Sequence, residues 1–133
     1  MRYVVMFLAL FALFFSQSSL EAQDSLTVER MVICKQIVDR EPEGAATAFP
    51  DTLSRVYCFT HIKGAKQEIQ IKHRWYWGDS LMAEVTLPVR SVSWRTWSSK
   101  NLWKGWRGNW RVEVVGPDGA VLRETKFAIE KSE

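Results

Sequence analysis

The chain has 133 residues, 25% of them charged and 47% hydrophobic, with seven Trp, seven Phe and three Tyr. This composition suits one folded domain and excludes disorder as the dominant state. A formal charge of +3 gives little reason to invoke nucleic acid, and two cysteines exclude both a disulfide-dense scaffold and a four-thiolate zinc site.

Arg2 precedes an uncharged apolar run over residues 3–15, followed by the small and polar residues 16–22. A positive start, an apolar stretch and a small-residue exit make a secretory signal peptide, and the run is too short to span a bilayer. Residues 1–22 are therefore expected to be a leader cleaved after Ala22, with Ser18 as the alternative, leaving residues 23–133 as the mature domain. The expected compartment is the periplasm or the exterior, with no membrane attachment after cleavage. An oxidising compartment would tend to join Cys34 to Cys58, closing a loop that would add roughly 3–4 kcal/mol in the chain-entropy model.

After Ala22 the apolar period is two rather than 3.6. Residues 26–39 are β-branched and apolar on both parities, the pattern of a buried or bulged strand. Residues 40–51 form a polar, Pro/Gly-marked connection, and residues 55–62 a second strand. Ile69, Ile71, His73, Trp75 and Trp77 share one face of the next strand. Gly78, Asp79 and Ser80 turn the chain into its hairpin partner, residues 81–87. Residues 91–98 and 110–114 give two more strands. Pro117, Asp118 and Gly119 make a turn, and Val121, Thr125, Phe127 and Ile129 mark the last strand. About seven short strands in one domain predict an all-β fold, a single antiparallel β-sandwich of immunoglobulin-like type, with a closed barrel as the alternative.

All seven tryptophans fall between residues 75 and 110, interleaved with Arg and Lys. Trp75, Trp94 and Trp110 lie on inward parities and are assigned to the core, where each aromatic removes about 150–250 Å² from water. Trp97 shares the outward parity with Arg95, and Trp103 and Trp106 lie in a Gly-containing loop with Lys100 and Arg107. Two readings of these residues stand side by side. In one, arginines stack on outward rings as structural cladding. In the other, Trp97, Trp103 and Trp106 present flat apolar faces to sugar rings while Arg95, Lys100 and Arg107 contact hydroxyls or carboxylates.

No nucleophile elbow, phosphate loop or paired-histidine zinc motif is present. His73, between Ile71 and Trp75, reads as a hydrogen-bonded core histidine, and His61 as a surface residue. Residues 39–44 imitate the start of a calcium loop, but Pro42 stiffens them and Pro50 stands where the closing glutamate belongs. No catalytic residue, metal ligand or cofactor is assigned. The expected function is non-catalytic binding of a glycan or acidic saccharide; an envelope protein–protein interaction subunit and a hydrolase are the alternatives.

Several strings, in order along the mature chain, carry a family resemblance. They include Arg55-Val56-Tyr57-Cys58-Phe59-Thr60, His73-Arg74-Trp75-Tyr76, Leu87-Pro88-Val89-Arg90, Trp94-Arg95-Thr96-Trp97-Ser98-Ser99-Lys100 and Gly108-Asn109-Trp110-Arg111-Val112-Glu113-Val114. Together they resemble the bacterial family catalogued as domain of unknown function 2914. The resemblance implies a β-sandwich and no established activity, and it transfers no catalytic or ligand residue.

Overall fold

The computed structural model describes residues 26–133, so the leader assigned to residues 1–22 lies outside the described residues. Seven long strands carry the architecture: β1 (Thr27–Cys34), β5 (Arg55–Lys63), β6 (Ile69–Trp77), β7 (Ser80–Val89), β8 (Ser93–Asn101), β9 (Gly108–Val115) and β10 (Val121–Glu130). Three short ones, β2 (Gln36–Val38), β3 (Glu41–Glu43) and β4 (Ala48–Pro50), occupy the connection between β1 and β5. One sheet has the order β1-β5-β8 and the other β4-β10-β9-β6-β7. The first, second and fifth long strands thus face the third, fourth, sixth and seventh, the Greek-key layout of an immunoglobulin-like sandwich.

Alternation along β6 shows why the layers form. Ile71, His73 and Trp75 are fully buried, while Lys72, Arg74 and Tyr76 point outward. Trp75 pairs with Val112 on one side and Ala83 on the other, so one apolar row crosses three strands. The β6–β7 link has two residues, Gly78 and Asp79, between the paired Trp77 and Ser80. Gly78 has φ +56°, the positive value that a type II′ hairpin needs at its first central position. Trp75, Trp110, Phe127 and Phe49 from the larger sheet pack with Val56, Cys58, Ile62 and Ile33 from the smaller.

Four sequence expectations are corrected. The connection at residues 40–51 contains β3 and β4, and β4 pairs parallel with β10. That short strand forms because the chain leaves one sheet after β1 and crosses to the other, where Phe49 enters the core opposite Ile129. The strand expected over residues 91–98 starts and ends later, at Ser93 and Asn101. Trp94 is half-buried against the rim of the core, because β8 is an edge strand and only one neighbour flanks it. Finally, Cys34 and Cys58 are free thiols, not a disulfide. Cys58 pairs with Ile33 and Cys34 with Tyr57, so alternation sends the two side chains to opposite faces of the sheet. Cys58 fills the core, while Cys34 is buried outside it, and burial pushes both thiols up in pKa.

Candidate functional site

Chemistry-bearing side chains gather in three places: the interior between the sheets, the outer face of β8, and one end of the sandwich.

In the interior, a line of hydrogen bonds joins the two sheets. Trp75 Nε1 donates to Ser98 Oγ at 3.1 Å, and Ser98 Oγ lies 2.6 Å from His73 Nδ1. His73 Nε2 lies 3.2 Å from Thr60 Oγ1, which donates to the Thr96 carbonyl at 2.9 Å. An indole N–H can only donate and a carbonyl can only accept, so both ends of the line are fixed. Thr60 spends its one proton on the carbonyl, so His73 must carry a proton on Nε2. Burial lowers the imidazole pKa to about 4, so near neutral pH the ring is uncharged and its bare Nδ1 accepts the Ser98 proton. Every polar side-chain atom buried among the described residues has a partner. The core role expected for His73 follows from this geometry. Its partners Ser98 and Thr60 were not singled out in the sequence; their period-two placement beside Cys58 and Ile62 is the only signal of them.

On the outer face of the smaller sheet, Phe59 is almost wholly buried although it points away from the core. Trp97, its cross-strand partner, stacks on it at 6.5 Å with rings 14° apart, and the Arg30 guanidinium lies 5.5 Å from the Phe59 centroid. Arg30 and Arg95 both bond the Glu41 carboxylate at 3.0 Å, which draws the β2–β3 hairpin onto this face. The turn of that hairpin is Asp39-Arg40, with φ +51° and +63°, a type I′ turn made without glycine. The calcium-loop imitation at residues 39–44 is thus a hairpin, and no group of three His, Cys, Asp or Glu among the described residues comes together around a cation position. Arg40 reaches over the Trp94 ring at 5.9 Å. A groove of about 280 Å³ lies here, lined by Arg40, Pro88, Trp94, Arg95, Thr96 and Trp97.

The third place is built by the loop at residues 102–107. Leu102 is buried and donates its N–H to the Ser54 carbonyl at 2.8 Å, anchoring the loop start. Trp106 N–H donates to the Trp103 carbonyl at 3.0 Å, and Gly105 between them has φ +99°, which makes residues 103–106 a type II turn. Two indoles clamp the far side: Trp110 Nε1 donates to the Trp106 carbonyl at 3.0 Å and Trp77 Nε1 to the Arg107 carbonyl at 2.9 Å. Arg107 itself bonds Asp51 at 2.8 Å, and the other Asp51 oxygen accepts from the Ser132 hydroxyl and amide at 2.8 and 3.1 Å. Those Ser132 bonds, with Arg107, hold the Asp51 carboxyl below its usual range.

Aromatic rings descend from this loop into the core. Trp103 is 72% exposed, and its ring lies 6.3 Å from Trp106. Trp106 lies 5.8 Å from Trp77 and 6.1 Å from Trp110, and Trp110 stacks on Phe127 at 5.9 Å. Lys100 Nζ sits 5.2 Å from the Trp106 ring centroid.

Of the six expected contact residues, the fold brings Lys100, Trp103, Trp106 and Arg107 to one end of the sandwich. It places Arg95 and Trp97 on the outer face of β8, with Phe59 and Glu41 as their partners. His61 lies on the surface within 2.7 Å of Ser93 Oγ and 3.5 Å from Glu29, an acid distant in sequence that the bulge in β1 carries to it.

No curated protein matches the chain. Among solved structures, a selenomethionine-labelled β-glucosidase from Kluyveromyces marxianus superposes with a TM-score of 0.46 at 9% identity, over 80% of this chain. The chain spans 14% of that protein's length. Residues 68–129, which run from the approach to β6 almost to the end of β10, match the model of the family described as "Protein of unknown function (DUF2914)", the family the sequence strings resemble.

Proposed function

We propose that this chain is a non-catalytic binding module whose ligand rests on the loop at residues 102–107, with an acidic oligosaccharide as the ligand class. The observation behind this reading is Trp103: an indole 72% exposed on a turn that three side chains and two backbone bonds already hold in shape. Ordering a loop on binding normally costs affinity, and here that ordering is built in before the ligand arrives. The exposed ring offers an apolar face for a sugar ring. Lys104 sits in the same turn, and Lys100 lies over Trp106, so two ammonium groups are available for carboxylates. Arg107, engaged by Asp51, is assigned to holding the loop rather than to ligand contact. The leader-like character of residues 1–22 supports an exported role, in the periplasm or outside the cell. His73, the imidazole with a displaced pKa, is enclosed and engaged at both nitrogens, which favours binding over hydrolysis.

Tryptophan fluorescence titrated with polygalacturonate, alginate and peptidoglycan fragments tests the reading. A saturable change with an acidic polymer, lost in Trp103→Ala and kept in Trp97→Ala, is the expected result. Absence of saturation with every polymer, or an unchanged titration in Trp103→Ala, refutes it.

A further inference from the structure

We infer that the free edge of β8 is a second binding site, one that takes an acidic, extended segment of a partner protein as an added strand. This site is separate from the Trp103 loop and does not depend on the saccharide reading.

The argument begins with how the four outer strands of the two sheets are protected. An edge strand presents unpaired N–H and C=O groups and is a template for further pairing unless something interrupts it. β1 carries a bulge between Val28 and Arg30, and Arg123 donates to its Val28 carbonyl at 3.0 Å. β4 has only three residues and ends in Pro50. β7 has a bulge in its pairing near Ala83 and contains Pro88. β8 has neither device. It pairs with β5 in one unbroken register over nine residues, from Ser93 opposite Lys63 to Asn101 opposite Arg55, and has no partner on its other side.

The surroundings of that edge select the occupant. The groove beside it has Arg40 and Arg95 in its lining, with the flat rings of Trp94 and Trp97 and no carboxylate. Arg95 already bonds one oxygen of Glu41 at 3.0 Å, which shows how an acidic side chain sits against this strand. Arg40 has no carboxylate within salt-bridge distance among the described residues. Its backbone is held at φ +63°, an uncommon conformation for a long side chain, and this turn carries the guanidinium to Trp94 over the groove. An incoming strand would take its affinity from main-chain bonds to β8. Its choice of side chains would come from alternate positions, acidic on the parity of Arg95 and apolar on the parity of Trp94.

The test uses a ten-residue peptide of alternating valine and glutamate, acetylated and amidated at its ends, with hydrogen exchange read at the amides of residues 93–101. In an antiparallel ladder alternate amides of β8 face the open side, and these exchange fast in the protein alone. The expected result is that this alternate set slows at least tenfold with the peptide. The slowing should disappear when the peptide is N-methylated along one edge or has lysine in place of glutamate, and should weaken about tenfold in peptide concentration in Arg40→Ala/Arg95→Ala. Unaltered exchange overturns the inference, as does equal slowing by the lysine or N-methylated peptide. Slowing that depends on protein concentration without peptide also overturns it, since the edge would then pair with a second copy of the chain. Because the N-methylated and lysine peptides act on the unmutated protein, a misfolded arginine variant does not decide the outcome.

Discussion

Trp75 and Trp103 come from the same tryptophan-rich segment, yet one has no exposed surface and the other is 72% exposed. Trp75 sits mid-strand, its indole N–H satisfied by Ser98 and its ring in edge contact with Phe127. Trp103 sits at the corner of a turn whose backbone is held by two other indoles, those of Trp77 and Trp110. In this molecule a tryptophan whose N–H has a protein partner belongs to the scaffold, whether that partner is a hydroxyl in the core or a loop carbonyl. Trp103, whose ring meets solvent, is the one the scaffold holds out.

The comparison is broken most directly by truncating each ring in turn. Trp75→Ala should cost about 3–5 kcal/mol, as large-to-small changes in packed cores do, and should also leave Ser98 without its donor; urea denaturation measures it. An effect below 1 kcal/mol would mean that the interior is not the packed unit described.

The interior line also predicts a pH response. Unfolded, His73 takes up a proton at its ordinary value of 6.5; folded, it resists until about pH 4. The unfolded state therefore binds more protons between these values. Stability is full above pH 6.5 and falls by roughly 3 kcal/mol as the pH drops toward 4. His73→Gln keeps a donor and an acceptor but cannot titrate, so its melting temperature should change much less over that range. Equal slopes for the two proteins would show that His73 is not responsible.

Smaller effects sharpen the contrast. Trp103→Ala should change stability by less than about 0.5 kcal/mol, the usual range for a surface site, while removing the saccharide-induced fluorescence change. Smallest of all, reductant should leave the melting temperature unchanged and both thiols should be alkylated after unfolding without it, because Cys34 and Cys58 are free. A downward shift with reductant would restore the cross-link and place it at odds with the β1–β5 register.

Much of this was legible along the chain because a strand in a two-layer sandwich writes its burial directly as alternation. Ile71, His73 and Trp75 inward and Lys72, Arg74 and Tyr76 outward, the Gly78-Asp79 turn, and the core positions of Trp75 and Trp110 follow from local pattern and turn chemistry. The polar partners of His73 did not, since Ser98 and Thr60 look like ordinary strand residues until the sheets face each other. Trp94 was misplaced for a related reason: parity reports which face a side chain takes, but not whether a neighbouring strand lies beyond it.

The sequence by itself determined the strand periods and the immunoglobulin-like layering, because these depend on spacing within each segment. Tertiary structure alone decided that the cysteines point to opposite faces, that the six candidate contact residues divide between the strand face and the loop end, and that β8 is left as an unblunted edge. Those outcomes depend on register and on which strands become neighbours. Such choices are made by contacts between segments far apart in the chain, and no single segment records them.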